Sequence, residues 1–179
     1  LILLNGEGQG WVAQLVGEAE ANLIEPYALK AEFPIPVTLV AALPKNGFDE
    51  VVRCCTELGV THFMPVISDR TILKPSENKL KRWRKISAEA AEQSERAIVP
   101  AISDPRSFQE VLHNLAAGNH YICGAREKCE PLLNALPKEL PSGMTVWVGP
   151  EGGWTKGEIK RRSPPKFNLY PSAIRFCEP

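Results

Sequence analysis

An α/β fold built on a parallel sheet is the architecture this sequence predicts, and three observations predict it. From Val37 onward, short apolar runs alternate with helical patterns, as strand–helix–strand units require. Val37–Leu43 is an apolar run broken only by Thr38, and Met144–Gly149 is nearly as apolar, the pattern of strands covered on both faces. Sixteen prolines in 179 residues argue against long uninterrupted helical bundles.

The elements follow in chain order. Residues 1–30 stand apart, because apolar runs flank Asn5-Gly6 and a second glycine-rich stretch; this reads as a β-hairpin or meander. So small a sheet cannot hold a core alone, so residues 1–33 are expected to be the remnant of a small β domain. The chain opens at Leu1 inside that expected strand, so the true N-terminus is expected to lie upstream. Glu32-Phe33-Pro34-Ile35-Pro36 reads as an extended linker, and residues 37–179 as the second domain. After the strand Val37–Leu43, Asn46 is the expected helix cap with Asp49 at N3. Val51, Cys54, Cys55 and Leu58 would form the inner face and Gly59 the stop. Val60–Ile67 is the next strand, and Pro65 suggests a strand end or edge. A long helix over Lys79–Arg96 carries Leu80, Trp83, Ser87, Ala90, Ala91 and Ser94 as its inner stripe. A strand His120–Gly124, a short helix Arg126–Leu136 and the strand Met144–Gly149 come next. Thr155 and Glu158 form a capping-box pair that opens one more helix. Phe167–Pro179 reads as a short strand and then irregular chain.

Composition narrows the function. The sequence is 44% hydrophobic and 23% charged, enough apolar material for a core and unlike a disordered or disulfide-stapled chain. Lys plus Arg and Asp plus Glu number 21 each, so no bulk field announces a polyanionic partner; local patches must meet one. No apolar run approaches the ~18–20 residues of a membrane span, and no signal peptide is visible, so a cytoplasmic protein without a membrane partner is expected. The five cysteines (Cys54, Cys55, Cys123, Cys129, Cys177) include no C-x-x-C pair and no zinc-ligand spacing. They read as small buried hydrophobes in a reducing compartment, with no metal expected. A nucleophilic role would need His62, His113 or His120 nearby in space.

Gly149-Pro150-Glu151-Gly152-Gly153 stands at the carboxyl end of an expected parallel strand, where such sheets bind ligands. No Gly-Lys-Ser/Thr follows, so it is not a P-loop, and it is not G-x-G-x-x-G either. It suits a ligand held by backbone groups, such as an adenosine moiety; a tight strand–helix turn without a ligand is the other reading. Gln93, Ser94 and Arg96, at a helix end, could offer donors to a polyanion or a base, or form a solvated terminus. Residues 70–85 hold seven Lys/Arg against Glu77, with Trp83 among them, and residues 156–166 hold five against Glu158. Arg70, Lys81, Arg82 and Arg84 are therefore candidate phosphate contacts, with solvated helix faces as the alternative.

Taken together these pieces resemble one family. Thr56-Glu57-Leu58-Gly59-Val60 is followed by Ala88-Glu89-Ala90-Ala91-Glu92-Gln93-Ser94-x-Arg96-x-x-x-Pro100. Val148-Gly149-Pro150-Glu151-Gly152-Gly153-Trp154-Thr155-x-x-Glu158 completes the set. In this order and spacing they resemble the RsmE family, SPOUT-superfamily methyltransferases that act on N3 of a uridine in small-subunit (16S) ribosomal RNA. The resemblance covers roughly residues 40–160. It implies a SPOUT-type parallel sheet ending in a trefoil knot, preceded by part of a small PUA-like β domain. It also implies a homodimer, 16S ribosomal RNA as partner and S-adenosylmethionine as cofactor. Residues implied at the cofactor are Ile122, Cys123, Gly124, Val148, Gly149, Pro150, Glu151, Gly152, Gly153, Leu169 and Ile174. Gln93 and Arg96 would join Arg70, Lys81, Arg82 and Arg84 on the RNA. The tail, Leu169 to Pro179, departs from the family. Leu169 and Arg175 match its motif and Ala173 and Ile174 are apolar substitutes, but its glycine and Glu-Thr-Ala are not reproduced. The final helix has no counterpart, so residues 37–179 are expected to lack their C-terminal end. Methylation at N3 requires loss of the uracil proton. Glu151 is the candidate loop organiser or base, with capping of its own loop amides as the alternative, and Arg175 a candidate substrate or phosphate contact. A non-catalytic RNA-binding or ribosome-assembly protein that retains the fold is the rival reading. A nucleotide phosphotransferase is disfavoured by the missing Lys after the glycines.

Overall fold

The computed structural model describes residues 1–28, 32–72, 75–114, 118–123, 134, 136–139, 141–161 and 171–172. Strands β1 (Ile2–Leu4), β2 (Gly10–Leu15) and β3 (Ala21–Pro26) form an antiparallel meander in the order β1-β2-β3. The second sheet is parallel throughout its described pairings. It comprises β4 (Val37–Ala42), β5 (His62–Ile67), β6 (Ala101–Ile102), β7 (Arg106–Ser107), β8 (Asn119–Cys123), β9 (Met144–Val148) and β10 (Pro171–Ser172). Its order is β10-β8-β9-β4-β5-β6, with β7 also pairing β5. Helices α1 (Phe48–Glu57), α2 (Glu77–Gln93), α3 (Phe108–Asn114) and α4 (Lys156–Arg161) complete the described elements. The expected α/β architecture is thus present. The helix read over Arg126–Leu136 and the tail beyond Ser172 lie almost wholly outside the described residues.

Strand β4 lies inside the sheet, and its side chains alternate between two layers. Leu39, Ala41 and Leu43 join Phe63 against Phe48 and Val52 of α1 and Leu80 and Trp83 of α2. Val40 and Ala42 join Val66, Ile122 and Trp147 against Phe108 and Val111 of α3, with Trp154 sealing the layer. Burial on both faces is why the strand is apolar at every position but Thr38. Phe108 meets the Trp147 and Trp154 rings at centroid distances of 5.4 and 5.0 Å. Each such pair adds about 0.5–1.5 kcal/mol beyond its buried area.

Three expectations are corrected. Helix α1 is not capped by Asn46: its cap is Gly47, at φ 83° and ψ 5°, with no side-chain cap hydrogen bond. Its most buried residues are Phe48, Val52 and Thr56; of the expected Val51, Cys54, Cys55 and Leu58, Val51 and Cys55 pack half-buried against that core, whereas Leu58 is 81% exposed. The difference follows from α2, where the Trp83 ring packs edge-on to Phe48 at 4.6 Å and its Nε1 donates to Asp49 Oδ1 at 2.9 Å. Pro65 marks neither an edge nor an end. It is fully buried in β5, between the short pairings of Phe63 with Ile102 and Val66 with Arg106. The Leu43 N–H donates to the Val66 carbonyl, so Val66 faces β4. Pro65 therefore faces the interval between β6 and β7, where its missing N–H breaks no ladder bond.

The third correction concerns Arg96, which lies after α2 and is only 3% exposed. Its Nη1 donates to the Thr56 carbonyl at 2.9 Å and the Val60 carbonyl at 2.7 Å. Nη2 pairs with Glu32 Oε2 at 2.8 Å, while Glu32 Oε1 accepts the Ile98 N–H at 3.0 Å. The guanidinium thus serves a carbonyl at the end of α1 and one before β5, and holds the linker; in this position it is no surface contact for RNA. Beside it the meander docks by its first turn, through Gly8 N–H to the Ala97 carbonyl and Val99 N–H to the Gly6 carbonyl. Asn5 Oδ1 shapes that turn by accepting the Glu7 and Gln9 N–H groups.

Removing one partner of a buried pair strands the other charge, which costs about 3–5 kcal/mol. Arg96→Ala should therefore lower unfolding free energy by about that amount in urea titration. Arg84→Ala, which breaks an exposed pair with Asp104, should change it by no more than about 0.5 kcal/mol.

Candidate functional site

The site builds up from the carboxyl ends of β9, β4 and β5, which lie side by side in that order. Each leads into a loop, and the loops touch. After β9, the Gly153 N–H donates to the Pro150 carbonyl at 2.7 Å, closing a four-residue turn. Gly153 has φ +72°, a conformation that favours glycine. The capping box read in the sequence then starts α4: Thr155 N–H donates to Glu158 Oε2 at 2.8 Å, and Glu158 N–H to Thr155 Oγ1 at 3.2 Å.

Glu158 does more than cap. It is 1% exposed, and its Oε1 accepts the Asp69 N–H from the loop after β5 at 3.0 Å. Thr155 Oγ1 in turn donates to Asp69 Oδ2 at 2.9 Å. Arg70 reaches over from the same loop and donates to the Gly152 carbonyl and, at 3.4 Å, to that of Gly153. From the loop after β4, the Lys45 N–H approaches Glu151 Oε1 at 3.4 Å. The glycine loop is therefore held from two neighbouring loops. Nothing in the spacing tied Asp69 to Glu158, 89 residues away; the polar run Ser68-Asp69-Arg70-Thr71 was its only trace.

Inside the loop, space is set by glycine. A Cβ at Gly149 would come within 3.1–3.2 Å of the Trp154 indole, and one at Gly152 within 3.2 Å of Arg70 Cδ. Trp154 is buried, and its Nε1 has no hydrogen-bond partner among the described residues. The loop thus offers backbone groups and a buried N–H donor, and on the described residues its one charged side chain, Glu151, is exposed.

Of the cofactor set read in the sequence, Ile122 and Cys123 end β8, beside β9. Residues 171–172 return parallel to them. Val148, Gly149, Pro150, Glu151, Gly152 and Gly153 form the loop itself, whereas Gly124, Leu169, Ile174 and Arg175 lie outside the described residues. The RNA set is dispersed. Lys81 and Gln93 are exposed on α2. Arg82 Nε pairs with Asp49 at 2.7 Å, and Arg84 with Asp104 and the Ile102 carbonyl at 3.2 Å. Arg70 lies on the glycine loop and Arg96 in the core. Beside Lys45, a cleft of about 420 Å³ opens between the starts of α1 and α2.

Neither Cys54 nor Cys55 is set up as a nucleophile. Burial pushes Cys55 upward in pKa, and the Glu50 carboxylate hydrogen-bonded to Cys54 pushes that thiol up as well. Among the described residues no group of three His, Cys, Asp or Glu could hold a metal ion, and no helix is long and apolar enough to cross a membrane.

Comparison with known proteins gives concordant matches. A family model for the RNA methyltransferase domain matches residues 31–171. Ribosomal RNA small subunit methyltransferase E of Synechocystis is 44% identical over 165 residues, covering 88% of this chain and 54% of the relative. The enzyme of the same name from Bacillus subtilis is 34% identical over 141 residues, covering 73% of this chain and 55% of the relative. The chain thus spans about half the length of these curated relatives. Among solved structures, Ribosomal RNA small subunit methyltransferase E from Neisseria gonorrhoeae, bound to S-adenosyl methionine, superposes with a TM-score of 0.81. It is 28% identical, and the match covers 98% of this chain and 75% of that one.

The Glu158 clamp yields a direct expectation. Glu158→Ala leaves the Asp69 and Thr155 N–H groups without their acceptor, at a cost of about 1–3 kcal/mol. Amide exchange at both positions should quicken well beyond that in β4. Unchanged protection at Asp69 would mean that the clamp does not hold the loop.

Proposed function

Because this chain belongs to the RNA methyltransferase family, we propose that it transfers a methyl group from S-adenosylmethionine to N3 of a uridine in small-subunit ribosomal RNA. The observation that carries this reading is the glycine loop at the carboxyl end of β9. It is fixed from two sides, and a Cβ at Gly149 would crowd the Trp154 indole. Such a cradle suits a ligand recognised by backbone groups, at the end of the sheet where parallel folds bind their ligands.

The residues present fit the cofactor. Gly149, Pro150, Gly152 and Gly153, with Val148, Ile122 and Cys123, would hold it. Gly124, Leu169 and Ile174 belong to the same proposal, and Trp154 Nε1 is a buried donor beside it. Bound there, S-adenosylmethionine supplies an electrophilic methyl carbon on a positively charged sulfur. The protein's part is to line up the uracil nitrogen with that carbon, because alignment alone contributes much of the rate. It must also accommodate departure of the N3 proton. Glu151 is the carboxylate at hand, as base or, through its contact with the Lys45 N–H, as organiser of the loop. Arg175 is proposed to contact substrate or phosphate, and Lys81, Arg82 and Gln93 to face the RNA.

The finer architecture belongs to the same proposal. Residues 1–33 are taken as part of a PUA-like domain, a reading supported by the meander and its docking on residues 97–99. A C-terminal trefoil knot is supported by the return of residues 171–172 beside β8. A cytoplasmic homodimer is the proposed assembly, for which sedimentation velocity at micromolar concentration should give a dimer.

Calorimetry should detect S-adenosylmethionine binding to the chain. Gly149→Val should weaken it at least about tenfold, since a branched side chain meets the Trp154 ring. Mass spectrometry of protein-free small-subunit ribosomal RNA should show N3-methyluridine after incubation with chain and cofactor. Cofactor binding without any methylated product would favour the non-catalytic RNA-binding reading.

A further inference from the structure

The cleft between the starts of α1 and α2 lies beside the glycine loop, and its chemistry is distinct from that of the loop. Its walls include Pro44, Lys45, Asp49, Lys79, Arg82 and Trp83, and its volume of about 420 Å³ falls within the ~300–1,000 Å³ of small-ligand sites. The buried Trp83 and Phe48 rings give it a rigid base. Lys79 and Arg82 stand three residues apart on α2, hence on one side of the helix, and Lys45 comes from the facing loop. The acid among the lining residues, Asp49, is already matched: Arg82 Nε takes one oxygen at 2.7 Å and Trp83 Nε1 the other at 2.9 Å. Lys45 and Lys79 form no ion pair among the described residues. The cleft therefore carries net positive charge with two uncommitted ammonium groups, which is what a phosphodiester requires. Lys45 also meets Glu151 through its N–H, so cleft and glycine loop share a wall.

We infer that this cleft is a phosphate-binding subsite for the RNA strand that flanks the target uridine, with Lys45 and Lys79 as its principal cations and Arg82 as support. The inference rests on the methyltransferase reading and gives the strand a path away from the glycine loop. It also explains why a chain with no net charge can grip a polyanion: the charge is concentrated locally.

The test is the salt dependence of binding to protein-free small-subunit ribosomal RNA. The double variant Lys45→Ala/Lys79→Ala keeps the Lys45 N–H and should retain wild-type affinity for S-adenosylmethionine by calorimetry. Its RNA affinity should fall, and the slope of log K against log salt should become shallower by about 1.4–1.8, the contribution of two phosphates. Lys85→Ala/Lys138→Ala, at exposed positions outside the cleft, should leave the slope nearly unchanged. An unaltered slope in the first variant, or an equal loss in the second, would overturn the subsite while leaving the methyltransferase reading intact. A wild-type chain that transfers no methyl group, with the slope still lost in the first variant alone, would keep the subsite and defeat that reading. A wild-type chain that does not bind the RNA would overturn both.

Discussion

The buried carboxylate of Glu158 is the constraint on which the site depends. A carboxylate that is 1% exposed is costly unless donors meet it. Here the donors are backbone N–H groups from two different loops, Thr155 and Asp69. One side chain thereby solves two problems. It satisfies the first turn of α4, and it fastens the loop after β9 to the loop after β5 across the end of β4. The shape of the glycine loop depends on this clamp and on Arg70 at its carbonyls.

A second buried charge plays the matching part on the side where α1 ends. Arg96 binds the Thr56 and Val60 carbonyls and Glu32. It thus joins the end of α1, the approach to β5 and the linker that precedes β4. The meander leans on the same segment through Gly6 and Gly8. Position along the chain counts for little here: residues 32, 56, 60 and 96 converge because a guanidinium out of water needs several acceptors at once. Between these two anchors the apolar layers on either face of β4 fix the sheet, and the strand ends are presented in register.

Charge is distributed by the same logic. Arg82 and Arg84 of the basic run are drawn into pairs with Asp49 and Asp104, whereas Lys45 and Lys79 have no such partner among the described residues. The cations available to a polyanion are therefore not simply all those of the basic run. They are those whose neighbours leave them unmatched, beside a cleft lined by Trp83 and Phe48.

The sequence by itself determined what depends on short-range pattern. The doubly buried strand Val37–Leu43, the stripe of α2 from Leu80 to Ala91, the stop at Gly59, the capping box of Thr155 with Glu158 and the glycine loop at a strand end were all legible from periodicity and cap chemistry. The family was legible from motifs in order. Tertiary structure decided what depends on partners far apart in the chain. It set α1 so that Phe48 met Trp83, and it placed Pro65 inside the sheet, opposite a break between two short strands. It gave Glu158 its second partner at Asp69, and it took Arg96 from a supposed helix end into the core. The reason is physical: a helix cap or a buried stripe is set by neighbours within a few residues. Where a buried charge finds its counter-groups, and which cations are left over, is set only once the strands have brought distant loops together.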